Sequence, residues 1–180
     1  MSMVCPSWLS FILYNPVRKT FSDRSKILRD SGIAEGSVVI EAGAGNGFLT
    51  EVLAAVAKKV IVIELQEGMV RKLKKRVSGY ADKVDIITGD VATCGLQSGI
   101  ADVCLLYYSF HEFSDKPGAA RNIARAVKSR GIISLYEPTV EVGGKNMEKT
   151  VGMFLDEGFE KEMEYTTLFT RFVRLRKVNE

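Results

Sequence analysis

The sequence predicts an α/β fold: a doubly wound, mostly parallel sheet that ends in an antiparallel hairpin. Three observations predict it. Short apolar runs rich in β-branched residues alternate with segments of helical periodicity. A glycine-rich turn follows the first run. The C-terminal stretch then abandons this rhythm for two segments of strict polar/apolar alternation.

Val38-Val39-Ile40 is the first strand, of the kind buried on both faces. A helix is expected from Gly47 onward (GFLTEVLAAVAKK). Val60-Ile61-Val62-Ile63 is the second strand, followed by a helix whose Met69, Val70, Leu73 and Val77 recur at helical spacing. Its Lys72-Leu73-Lys74-Lys75-Arg76 run reads as the wet face of that amphipathic helix. Val84 to Ile87 is the third strand and Asp102 to Tyr107 the fourth. A helix is expected over Ser114 to Ser129, with Pro117 in its first turn. Gly131 starts the fifth strand, IISLYE, stopped by Pro138, and Met147 to Asp156 is the last helix. Gly158 to Tyr165 and Leu168 to Arg176 alternate around Thr166-Thr167, which marks a closing hairpin.

Length and composition bound the function. The chain has 180 residues and is read as a single domain: an N-terminal lead-in over 1–35, with Trp8, Phe11, Tyr14, Arg18 and Phe21 as a lid, and a core over 36–180. A net charge of +3 is too mild to argue for nucleic-acid binding. Cys5, Cys94 and Cys104 are an odd set without metal-binding spacing, as expected of free thiols in a reducing compartment. The apolar stretch Trp8 to Tyr14 is too short to cross a bilayer and has no charged segment before it. A cytoplasmic protein without a membrane partner is expected. Oligomeric state is not legible.

The chemistry lies at the strand ends. Residues 38–50 read VVIEAGAGNGFLT. Gly43, Gly45 and Gly47 give G-x-G-x-G between a strand and a helix, a turn whose backbone can approach a ligand closely. The dinucleotide pattern is G-x-G-x-x-G, and Phe48 stands where its last glycine would be. Glu41, just before the turn, would repel a pyrophosphate but suits a cationic amino-acid moiety. Glu64 ends the second strand, where a carboxylate can accept from both hydroxyls of a ribose. Leu65 follows it. Asp90 ends the third strand and can accept from an adenine amino group, with Val91 beside the ring. Ribose, adenine and a positive charge together describe S-adenosylmethionine.

With these residues in view, the chain resembles the class I S-adenosylmethionine-dependent methyltransferases. E-A-G-A-G-N-G is similar to their first motif, and I-V-I-E, G-D-V and A-D-V-C-L-L-Y-Y-S-F-H-E to their later ones, in order, over residues 36 to 176. The resemblance implies a Rossmann-like seven-stranded sheet of order 3-2-1-4-5-7-6, S-adenosylmethionine as cofactor, and binding by Glu41, Gly43, Gly45, Gly47, Glu64, Leu65, Asp90, Val91 and Tyr107. Transfer is then an in-line displacement, and the enzyme's main work is alignment. A base is needed where the acceptor arrives protonated. His111, the single histidine, follows the fourth strand and is the candidate base. No metal is expected, because Glu137 has no Asp-Asn partner pair near it.

A small-molecule acceptor is expected, since the additions around the core are short. A ribosomal RNA adenine acceptor is the first alternative: the glycine turn and I-E-L resemble the start of the RNA adenine dimethyltransferases. Those enzymes carry N-L/I-P-Y where this chain has Tyr107-Tyr108-Ser109-Phe110. A protein acceptor and a non-catalytic S-adenosylmethionine-binding subunit are the others.

Overall fold

The computed structural model describes residues 23–178. Along the chain it runs α1 (Arg24–Asp30), β1 (Val38–Ala42), α2 (Thr50–Val56), β2 (Lys59–Glu64), α3 (Glu67–Arg76), β3 (Val84–Thr88), β4 (Ala101–Tyr107), α4 (Lys116–Ala126), β5 (Val127–Pro138), α5 (Gly144–Leu155), β6 (Phe159–Thr166) and β7 (Thr170–Lys177). Short 3-10 turns occupy Ser78–Tyr80 and Phe110–Glu112. The strands form one seven-stranded sheet of order β3-β2-β1-β4-β5-β7-β6. The first five are parallel and β7 is antiparallel to both its neighbours. Fold class and strand order agree with the expectation.

The parallel strands alternate their side chains between two apolar layers, which is why they read as continuous hydrophobic runs. Ile40, Ile63, Cys104, Leu106 and Leu135 pack with Ile123 of α4 and Val151 and Phe154 of α5. Val39, Val60, Val62 and Leu105 pack with Ile27 of α1, Leu53 of α2 and Leu73 of α3. Each fully buried aliphatic or aromatic side chain contributes on the order of 1.5–3 kcal/mol. Asp23 caps α1 by accepting from the Lys26 N–H at 2.9 Å, and Asp115 caps α4 by accepting from the Gly118 N–H at 2.8 Å.

Several boundaries differ from the sequence reading. The helix after β1 begins at Thr50 rather than Gly47, because Gly47 has φ +79° and cannot be helical. The helix expected to Ser129 ends at Ala126, where the backbone turns extended at Val127, and Val127 pairs with Ala101. β5 therefore starts before Gly131, through an irregularity in its pairing with β4. The hairpin turn lies at Thr167–Phe169, one residue later than expected; Thr167 N–H donates to Thr170 O at 2.8 Å and its hydroxyl accepts from the Thr170 N–H at 3.1 Å. The last helix also starts earlier, at Gly144, because the carbonyl of Gly143 accepts from Asn146 and Met147 at 3.0 Å each.

Part of the N-terminal lead-in, including Trp8, Phe11, Tyr14, Arg18 and Phe21, lies outside the described residues, as does Cys5. Cys94 and Cys104 are free thiols. Among the described residues no helix is long and apolar enough to cross a membrane.

Candidate functional site

The parallel register sets the ends of β1, β2, β3, β4 and β5 at one edge of the sheet: Ala42 lies beside Ile63, Glu64 beside Thr88, and Tyr107 beside Tyr136. The candidate residues Glu41, Glu64, Asp90, Tyr107 and His111 all sit at or just beyond these ends.

The three glycines of the turn after β1 all have positive φ, +77°, +57° and +79°, but they face different surroundings. A Cβ on Gly43 would meet Ser109 Cβ at 2.5 Å, and one on Gly47 would meet Leu73 at 3.2 Å. Gly43 thus lets the turn pack on the exit of β4, and Gly47 lets it pack on α3. A Cβ on Gly45 would meet nothing within 4 Å, so the open space of the turn is over Gly45. Ser109 fastens the junction by donating to Ala42 O at 2.7 Å.

Glu64 is buried, and its two carboxylate oxygens accept from the backbone N–H groups of Gly45 and Gln66, each at 2.8 Å. The glycine turn is therefore tied to the end of β2. Each oxygen keeps a further lone pair. Glu41 is also buried; the Thr50 hydroxyl donates to it at 2.6 Å. Burial pushes its carboxyl up to about 8, with Thr50 opposing and Glu64 adding a little.

Asp90 caps its own turn. Its side chain accepts from Ala92 N–H at 2.8 Å, and its carbonyl accepts from Thr93 and Cys94. Val91 is buried, whereas Leu65 is exposed. The turn is held by Asn122 of α4, whose amide donates to Val91 O at 2.7 Å and to Cys94 O at 2.9 Å. Asn122 was not anticipated from the sequence. Its signal was a polar residue in the otherwise apolar stripe of Ala119, Ala120, Ile123 and Ala124.

At the exit of β4, Tyr108 has φ +55°, a left-handed conformation rare for an aromatic residue. It folds back to stack on Tyr107, with ring centroids 4.4 Å apart, and its hydroxyl meets that of Thr170 at the hairpin. Phe110 is fully buried against Phe113 and Phe154.

His111 sits between two carboxylates. Its Nδ1 is 2.5 Å from Glu137 Oε2 and its Nε2 is 2.9 Å from Glu141 Oε2. Its backbone N–H donates to Glu137 Oε1 at 3.2 Å. Burial pulls the imidazole down, but the hydrogen bond to Glu137 and the charges of Glu137, Glu141 and Glu112 outweigh it and raise its pKa. Glu112 is raised by burial, against the pull of His111. The sequence reading named Glu137 as a carboxylate without a metal-ligand pair and did not single out Glu141. Among the described residues no group of three or more His, Cys, Asp or Glu is arranged to hold a metal.

Residues 40–135 match the methyltransferase domain family, and the chain belongs to that family. It is similar to ribosomal RNA small subunit methyltransferase A of Staphylococcus carnosus, with 31% identity over 129 residues, 71% of this chain and 41% of the relative. It is also similar to an uncharacterized methyltransferase of a Geobacillus strain, 34% identical over 99 residues, 55% of this chain and 45% of the relative. The chain thus spans less than half the length of these curated relatives. A solved S-adenosylmethionine-dependent methyltransferase from Aquifex aeolicus superposes with a TM-score of 0.84 at 21% identity, covering 97% of this chain and all of that one. The fold is that of the class I methyltransferases, whose cofactor is S-adenosylmethionine.

Proposed function

We propose that the protein is an S-adenosylmethionine-dependent methyltransferase that transfers a methyl group to a small-molecule acceptor. The observation that carries the cofactor reading is the Glu64 carboxylate, fixed by Gly45 and Gln66 beside the open space over Gly45. Its remaining lone pairs suit the two hydroxyls of a ribose. A Cβ-free turn suits close approach of the cofactor's amino-acid part, with Gly43 and Gly47 giving the turn its seat and Glu41 beneath it. Asp90, Val91 and Leu65 would receive the adenine, and Tyr107 would flank the sulfur end. The residues present therefore fit the group. When bound, it supplies a methyl made electrophilic by a sulfonium. The chain's own task is to align the acceptor with that methyl and to take up any proton the acceptor carries. We assign the latter to His111.

Two features support a small acceptor. Glu64, Glu112, Glu137 and Glu141 outnumber His111 at this edge, a field that disfavours a phosphate backbone. Phe110 is fully buried and so cannot stack on an extruded base.

A second reading, ribosomal RNA as acceptor, is favoured by the similarity to the Staphylococcus enzyme. Release of S-adenosylhomocysteine, measured against a set of amines and phenols and against small-subunit RNA, tests the choice. Turnover with RNA alone would replace the first reading by the second.

A further inference from the structure

His111 is held from two sides in unequal ways. Glu137, on β5, is 1% exposed, and both its oxygens are engaged with His111: one on Nδ1 and one on the backbone N–H. A buried carboxylate is costly unless paired, so this contact is a fixed part of the fold. Glu141, in the segment after β5, is the opposite case. Its side chain is 60% exposed, and its contact with Nε2 is its only ion pair among the described residues. An exposed ion pair is held far less firmly than a buried one and is easily exchanged. Its neighbour Val140 is 82% exposed. The segment lies against the hairpin tip through Thr139, which bonds the carbonyls of Leu168 and Phe169. Leu168 and Phe169 are themselves 79% and 67% exposed.

We propose that Glu141 is a displaceable cap on Nε2 of His111, that Glu137 is the positioning residue fixing the ring through Nδ1, and that an acceptor bearing an O–H or N–H proton takes the place of Glu141. The inference rests on the methyltransferase reading and narrows its acceptor class to alcohols, phenols and ammonium groups.

With a carboxylate against each nitrogen, the ring is placed to donate from both, to Glu137 and Glu141. The charged groups facing it are Glu137 from β5, Glu141 from the following segment and Glu112 from its own turn. Departure of Glu141 removes one of these charges, so Nε2 releases its proton to water and presents a lone pair. The acceptor's O–H or N–H bond then breaks. The proton moves to Nε2, the electron pair stays on the acceptor atom and forms its bond to the methyl carbon, and the pair of the broken carbon–sulfur bond stays on sulfur. Return of Glu141 restores the doubly held imidazolium.

Because the chain has one histidine, its imidazole can be followed alone. The test is an NMR pH titration of His111 in the full chain, together with the rate of diethylpyrocarbonate modification, which requires a neutral, accessible ring nitrogen. In the unaltered protein the midpoint is expected above the ordinary 6.5. Glu141→Gln should lower it by about one unit and speed modification at neutral pH up to about tenfold, with Nδ1 still the protonated nitrogen. Glu137→Gln should also lower the midpoint but lose that tautomer preference. An unchanged midpoint and an unchanged modification rate in Glu141→Gln would overturn the cap. Calorimetry with S-adenosylmethionine on the same samples keeps the two claims apart: Glu141→Gln should bind as the unaltered protein does. If neither binds, the cofactor reading fails, and with it the assignment of Nε2 to a methyl acceptor, whatever the titration shows.

Discussion

The carboxylate of Glu64 and the backbone N–H of Gly45 meet at 2.8 Å, joining the end of β2 to the middle of the glycine turn after β1. Gly45 is also the glycine of that turn over which a side chain would meet nothing. One contact therefore sets the position of the turn and of the oxygens proposed to receive the cofactor's ribose.

Glu64→Ala should weaken S-adenosylmethionine binding by about 1–3 kcal/mol, the scale of charged hydrogen bonds left unmade. Calorimetric titration reads this directly. An affinity equal to that of the unaltered protein would remove Glu64 from the site.

The glycines of the turn should separate in their effects. Gly45→Ala carries the left-handed backbone cost of about 1–2 kcal/mol, and its methyl would project into the proposed cofactor space. Gly43→Ala adds a collision with Ser109, about 1–3 kcal/mol more. Urea melts should show Gly43→Ala as the less stable variant. Cofactor titration of the folded proteins should show Gly45→Ala as impaired beyond its loss of stability. A turn that serves packing alone would give no binding defect in Gly45→Ala.

Glu41 should make stability fall as pH rises. An unfolded glutamate loses its proton near 4.5, whereas Glu41 in the fold holds its proton to about 8. Between these values the folded state binds more protons, so the unfolding free energy declines with pH. Below 4.5 the full stability is present. Glu41→Gln should flatten this slope and be the more stable form above pH 8, with about 1.4 kcal/mol per pKa unit as the scale. Parallel slopes for the two proteins would show that Glu41 is ionised in the fold throughout.

Asn122→Ala should loosen the turn after β3 without touching its residues. It removes the amide donor to Val91 O, which keeps only the Cys94 thiol, and to Cys94 O, which keeps the Leu96 N–H, at a cost of about 0.5–1.5 kcal/mol per hydrogen bond lost. Hydrogen exchange should quicken at Ala92 to Cys94. Unaltered protection there would mean that Asp90 alone holds the turn.

The strands were legible because burial on both faces leaves them continuously apolar, as in Val60 to Ile63. The helix starts were less so. Gly47 reads as the start of the helix pattern, but its positive φ delays that start to Thr50. Val127 carries no local sign that it leaves the helix; its pairing with Ala101 decides that, and such pairing is not local. The acids at the strand ends stood out by position alone. Their partners did not: the contact of Glu137 with His111 spans 26 residues, and the contact of Asn122 with Val91 spans 31. No short-range pattern encodes these.

The most direct test is calorimetric titration of the purified protein with S-adenosylmethionine, S-adenosylhomocysteine and NADH. The account predicts that both sulfur compounds bind and NADH does not. Failure of both sulfur compounds to bind, or binding of NADH alone, would contradict it.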